Sequence, residues 1–292
     1  MGDYNHHRAS INIHTLQFGL QALEKLSANF DTVYFIPGNH DLYYRDRRDI
    51  HSVEWAKHLP NVKIINDFFQ QGDVVIAPWL VQDDYKKLQK MGGKYMFGHF
   101  ELPNFFMNAM VEMPDTGELR PSDFKKQEYV FSGHFHKRQV KNNIHYLGNP
   151  FPHNYADVDD DDRGMMILEH GTEPVYFNWD NCPKYRNVKL STLLDKTKEI
   201  MKKKMHLRVT LDIDISFEEA SYIKETFMKE YDCREITLIP SKQEEEINTE
   251  LDITKFESVD QIVSKEIETI ESDAYDKSVL LRIFRDLNND TD

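Results

Sequence analysis

Apolar residues recur at helical spacing at Ile13, Leu16, Leu20, Leu23 and Phe30, and predict a helix over this stretch. Thr32 to Ile36 is a β-branched and aromatic run closed by Pro37-Gly38. It reads as a buried strand that ends in a loop. Further short strands are predicted at Val62–Ile65, Val74–Ala77, Tyr95–Phe97, Tyr129–Phe131 and Ile144–Leu147. Met165–Leu168 and Val175–Phe177 read as a hairpin around Gly171, and helices fit near Ser52–His58 and Asp83–Lys90. Helix alternates with strand early and strands dominate later, which predicts an α/β sandwich with a mixed sheet.

The pattern changes near Asn181–Arg186. His206–Ile213 alternates apolar and polar residues as a half-buried strand does. Ser216 and Glu219 form a capping box that opens a helix to about Tyr231, and Glu235–Ile239 is another strand. This is a β-α-β unit. Ser241–Glu250 is too polar to pack and reads as a linker. Beyond it, Val259, Ile262, Val263, Ile267 and Ile270 share one helical face, and Val279, Leu280, Ile283 and Leu287 share another. Such a tail either folds back on the core or docks on a partner. The expected organisation is a main domain over 1–183, the β-α-β unit over 184–242, and an acidic linker with a helical tail over 243–292.

Composition narrows the function. The 292 residues carry a net charge of −14, so the chain is no bulk polycation, and contact with DNA would need a local basic surface or a metal. Cys182 and Cys233 are too few for a disulfide framework. No apolar run is long enough to span a bilayer, and the first residues lack a signal-peptide core. A cytoplasmic protein with no membrane association is expected.

Thirteen histidines are more telling, because several sit in short motifs. Gly2-Asp3, Gly38-Asn39-His40-Asp41, Gly98-His99 and Gly133-His134-Phe135-His136 each set a glycine at a strand end and then a metal-type ligand. Glycine there lets the backbone turn sharply and approach an ion. Ligands at several strand ends converge on one sheet edge, where α/β folds bind. If 134–136 is extended, His134 and His136 point to the same side. One Gly-His alone is usually structural; four such motifs in this order form a strong signal.

With these motifs in place, the chain resembles the calcineurin-like metallophosphoesterases. Their pattern is Asp-x-His, Gly-Asp-x-x-(Asp/His), Gly-Asn-His-(Asp/Glu), Gly-His and Gly-His-x-His. Within them it is similar to the SbcD-type double-strand-break-repair nucleases, above all the small subunits of tailed-phage recombination endonucleases. PGNHDLYYRD, FGHFELPNFF and FSGHFHKRQVKNNIHYLGNPF carry the likeness. It implies a metallophosphoesterase-type β-sandwich flanked by helices, a β-α-β capping domain that contacts DNA, and a helical tail over 251–288 that docks on an SbcC-like coiled-coil ATPase. It implies two divalent ions, of the Mn²⁺ type. Asp3 would bridge them, Asn39, His99 and His134 would complete the second, and His136 would ligate the first. His40 would sit beside the scissile phosphate and His6 would contact it. A homodimer is compatible with the resemblance.

The family's opening strand and its Asp-x-His segment have no counterpart here, so the first ion is expected to be held more weakly, with truncation the favoured reason. A metallophosphatase for another substrate and a decayed scaffold subunit are the alternatives. Lys137 and Arg138, at the rim of the expected site, and Arg45, in a run with Arg47 and Arg48, are candidate phosphate contacts. Asp46 and Asp49 make surface ion pairs an equal reading for that run. Asp157–Asp162 reads as a solvated acidic loop. His153 is a better site candidate than His145, because it follows the YLGNP segment.

Overall fold

The computed structural model describes residues 1–115, 119–240, 267 and 277–281. Helix α1 spans Ile13–Asn29, and the Asn12 side chain caps its first turn by accepting the His14 N–H at 2.9 Å. It rests on the core through Leu16, Gly19, Leu23 and Ser27, of which only Leu23 is fully buried. Ile13, Phe18 and Phe30 stay exposed, so the helix is placed as its periodicity predicts but buries a narrower stripe.

Strands β1 (Val33–Phe35) and β2 (Val62–Ile64) pair in parallel. A six-stranded sheet follows, made of β3 (Phe69–Gln71), β4 (Val74–Ile76), β5 (Tyr95–Gly98), β6 (Tyr129–Ser132), β7 (Gln139–Lys141) and β8 (Ile144–Tyr146). Its order is β3-β4-β5-β6-β8-β7, parallel in the middle and antiparallel at both edges. Alternation along the strands feeds two cores. Val75, Met96 and Val130 face Leu88, Phe100 and Phe124, with Leu88 ending the short helix α2 (Asp84–Leu88). Val74, Ile76 and Phe97 face Tyr34, Ile36 and Ile65 of the β1–β2 layer. The two-stranded sheet therefore packs between α1 and the six-stranded sheet, a mixed α/β arrangement. Strands β9 (Gly164–Ile167) and β10 (Val175–Asn178) form the predicted hairpin.

The next unit holds one strand more than the pattern shows. Strand β11 (Lys184–Lys189) pairs in parallel with β12 (Met205–Leu211), which pairs in parallel with β13 (Glu235–Pro240). Helices α3 (Leu190–Asp195) and α4 (Thr197–Ile200) link the first two strands, and α5 (Phe217–Tyr231) links the last two. The capping box at Ser216 and Glu219 is formed. KYRNVK conceals β11 because its polar residues are consumed in ion pairs.

Those ion pairs overturn the reading of Asp157–Asp162 as a solvated loop. Asp157 and Arg163 are both fully buried. The Arg163 Nη2 group donates to Asp157 Oδ1 at 3.2 Å and to Asp160 Oδ2 at 3.0 Å. Asp161 is gripped by Arg186 and by Lys184 at 3.0 Å, and Asp159 pairs with Arg186 at 3.1 Å. The acidic loop is thus the anchor of β11, with Asp157, Asp160 and Asp161 paired by Arg163, Lys184 and Arg186. Removing one partner of a buried pair leaves a charge without compensation. Arg163→Met is therefore expected to destabilise the fold by about 3–5 kcal/mol, measured by urea unfolding, and adding Asp157→Leu should recover part of that loss.

Residues Met1–Ser241 cluster as one compact unit and Lys242–Asp292 as another. Residues 267 and 277–281 are helical. The remaining tail positions with an expected apolar face, Val259, Ile262, Val263, Ile270, Ile283 and Leu287, lie outside the described residues. Among the described residues no helix is long and apolar enough to cross a membrane.

Candidate metal centre

Three of the glycine motifs lie where parallel strands end: Asn39 after β1, His99 after β5 and His134 after β6. Asp41 joins the first of them to the N-terminal segment. Its fully buried carboxylate accepts the backbone N–H groups of Gly38 (2.9 Å), Tyr4 (3.1 Å) and Asn5 (2.9 Å). Burial pushes the Asp41 carboxyl up, and the three N–H groups pull it back. The His40 N–H donates to Asp3 Oδ1 at 2.8 Å and fixes that side chain. The two segments touch so closely that a Cβ on Gly38 would lie 2.3 Å from the Asp3 backbone nitrogen. Only glycine fits there.

Asp3, Asn39, His99 and His134 converge. His99 Nε2 lies 3.2 Å from Asp3 Oδ2, 3.1 Å from Asn39 Oδ1 and 3.3 Å from His134 Nδ1. Asn39 Oδ1 is also 3.1 Å from His134 Nδ1. The outer ring nitrogens set the tautomers. His99 Nδ1–H donates to the Met1 carbonyl at 2.7 Å, and His134 Nε2–H donates to Glu101 Oε2 at 2.9 Å. The inner nitrogens then carry lone pairs. Two imidazole nitrogens, an amide oxygen and a carboxylate oxygen face one point with no hydrogen among them. That arrangement repels itself until a cation or a proton enters. The N/O donor set suits a first-row divalent ion.

Burial works against charge on Asp3, and the His40 N–H that it accepts works the other way. Burial holds the His134 imidazole below its ordinary value, although the Glu101 carboxylate pulls the other way. His134 has φ +81°, in the left-handed region that costs a non-glycine residue energy. This departs from the extended reading of 134–136. Because the chain turns at His134, His136 points elsewhere.

His136 does not join these four residues. Its ring lies 5.9 Å from that of His153, and burial lowers its pKa. His40 and His6 stack at 5.3 Å, and His40 Nδ1–H donates to the His6 carbonyl at 2.8 Å. Arg45 is exposed. Arg48 is not free for a phosphate, because it donates to the Asn66 and Trp79 carbonyls and pairs with Asp84. Lys137 lies 4.9 Å over the Phe106 ring. Arg138 lies 5.1 Å over Tyr176 and donates to Asn178, so it braces the β9–β10 hairpin.

Two contributors escaped the sequence reading. Glu101 orients His134, and its signal was an acidic residue two positions after the Gly-His motif. Trp79 covers the cluster, its ring 5.6 Å from His99 and 5.3 Å from His134. It follows β4 as the other motifs follow their strands, but an aromatic residue carries no ligand signature.

No family model matches the chain. The comparison with curated proteins is more informative. The chain is similar to a phage exonuclease subunit. The relative is Exonuclease subunit 1 of Enterobacteria phage T4, 27% identical over 198 residues, covering 64% of this chain and 57% of that protein. The chain thus spans little more than half the length of the T4 subunit it matches. The phage nuclease likeness carried by the glycine motifs is the one this relative supports.

Proposed function

We propose that the chain is a metal-dependent DNA nuclease subunit of the metallophosphoesterase type. One observation carries this reading: the inward lone pairs of Asp3, Asn39, His99 and His134 meet at a single point. The similarity to the T4 exonuclease subunit supports DNA as the substrate and a phosphodiester as the bond. A divalent ion held by those four residues, Mn²⁺ by preference, would supply Lewis-acid charge to a phosphoryl oxygen. Asp3 and His136 would hold the other ion. Trp79 shields the ligands from water. His40, fixed through His6, would face the phosphate and assist the leaving oxygen. The 184–242 unit would flank the DNA, and the tail over 251–288 would dock on an SbcC-like coiled-coil ATPase.

The test is cleavage of linear duplex DNA and of a phosphomonoester, each with Mn²⁺ and with chelator. Mn²⁺-dependent loss of DNA with little action on the phosphomonoester supports the nuclease reading. The reverse preference identifies a phosphatase. Bound metal without either activity identifies a scaffold.

A further inference from the structure

Three residues beyond His40 the chain leaves the metal centre in a turn whose tyrosines none of the assigned roles uses. Its base is fixed. Leu42 bridges to His51, and the Tyr43 N–H donates to the Ile50 carbonyl at 3.0 Å. Arg48 donates to the Asn66 carbonyl at 3.0 Å and to the Trp79 carbonyl at 2.7 Å, and so ties the turn to the residue that covers His99 and His134. The Gln82 amide donates to the Asp46 carbonyl at 3.3 Å.

On this fixed base the turn presents aromatic rings to solvent. Tyr43 is 51% exposed although its neighbour Leu42 is fully buried. Its edge meets the Tyr44 ring at 4.8 Å. The Arg47 guanidinium lies 3.7 Å above Tyr44 and is held there by Asp49 at 3.1 Å. Arg45 is exposed and makes no ion pair among the described residues. A pre-set tyrosine face with arginines beside it has the chemistry of a stacking platform for an unpaired base. Three extended residues span at most about 11 Å. At about 3.4 Å per nucleotide along one strand, the Tyr43 backbone lies within roughly three nucleotides of the His40 backbone.

From this placement we infer that Tyr43, with Tyr44 and Arg47 behind it, stacks an unpaired nucleobase at a frayed or single-stranded DNA end next to the metal centre. The inference rests on the nuclease reading and adds the form of DNA it takes. A covalently closed duplex offers no such base, so a Tyr43 contact would favour ends over continuous duplex.

The test measures binding in chelator, where nothing is cleaved, to a duplex with a single-stranded tail and to a duplex closed by hairpins at both ends. Tyr43→Ala and Tyr43→Leu should each weaken binding of the tailed duplex about 10-fold, as expected for loss of one base stack. Tyr43→Phe should bind like wild type, and all four proteins should bind the closed duplex alike. A 2-aminopurine at the unpaired position should change its emission with wild type and Tyr43→Phe, and not with Tyr43→Leu. Equal affinity of Tyr43→Leu and wild type for the tailed duplex would overturn the inference and leave the nuclease reading standing. So would an equal loss on both DNAs. Failure of the wild-type protein to bind either DNA would overturn the inference, while the nuclease reading stands or falls on cleavage with Mn²⁺.

Discussion

Replacing His134 by alanine is expected to lower affinity for the divalent ion expected between Asp3, Asn39, His99 and His134 by more than about 100-fold, the upper range for loss of mere orienting contacts. The change removes one of four inward donors and leaves the Glu101 carboxylate without its imidazole partner. Asn39→Ala should behave alike. Glu101→Gln keeps the ligand and weakens only its support, so a 10- to 100-fold loss is expected there. Titration calorimetry with Mn²⁺ and elemental analysis of the purified variants give the numbers. Metal content equal to wild type in His134→Ala would remove the four-residue site. A pH series on the unaltered protein gives an independent reading. The same lone pairs take either a cation or protons, so the ion should leave on acidification. Because burial lowers the His134 pKa, its proton should compete only below the ordinary histidine value of about 6.5.

The convergence of Asn39, His99 and His134 was legible because it is written locally. Each follows a short strand and a glycine, and parallel strands bring such ends together whatever the side chains around them. Asn39, His99 and His134 needed no more than that. What the pattern hid is carried by contacts distant in sequence. Asp41 reads as the fourth letter of a ligand motif, yet it is a clamp, because its N–H partners at Tyr4 and Asn5 lie in the N-terminal segment. The Asp157–Asp162 loop reads as solvated because nothing nearby neutralises it except Arg163. Its other counter-ions sit on β11, some twenty-five residues away, and that strand was hidden by the same charges. Helix α1 shows the opposite error. Its apolar spacing was right, and the fold still leaves Ile13, Leu20 and Phe30 in solvent, since periodicity sets the helix and tertiary contacts set which stripe is covered.

His40→Ala is expected to leave metal content unchanged while turnover on DNA falls by about 10²–10⁴-fold, the usual worth of a positioned acid or base. The two effects separate because His40 does two things through different atoms. Its backbone N–H holds Asp3 Oδ1 at 2.8 Å, and alanine keeps that N–H. Its ring alone is lost, and with it the hydrogen bond from Nδ1 to the His6 carbonyl. That bond directs the free Nε2 away from His6 and makes the ring a fixed group rather than a mobile surface imidazole. His6→Ala should cost less, since the His6 carbonyl that orients His40 survives and only the stacked ring at 5.3 Å disappears. The comparison is made at saturating Mn²⁺, with kcat and KM measured separately on linear duplex DNA. A fall in kcat with KM nearly constant places His40 at the reacting phosphate. A rise in KM alone would make it a binding contact. Unchanged rates in a variant that retains its metal would take His40 out of the chemistry and leave only its backbone, as the support of Asp3.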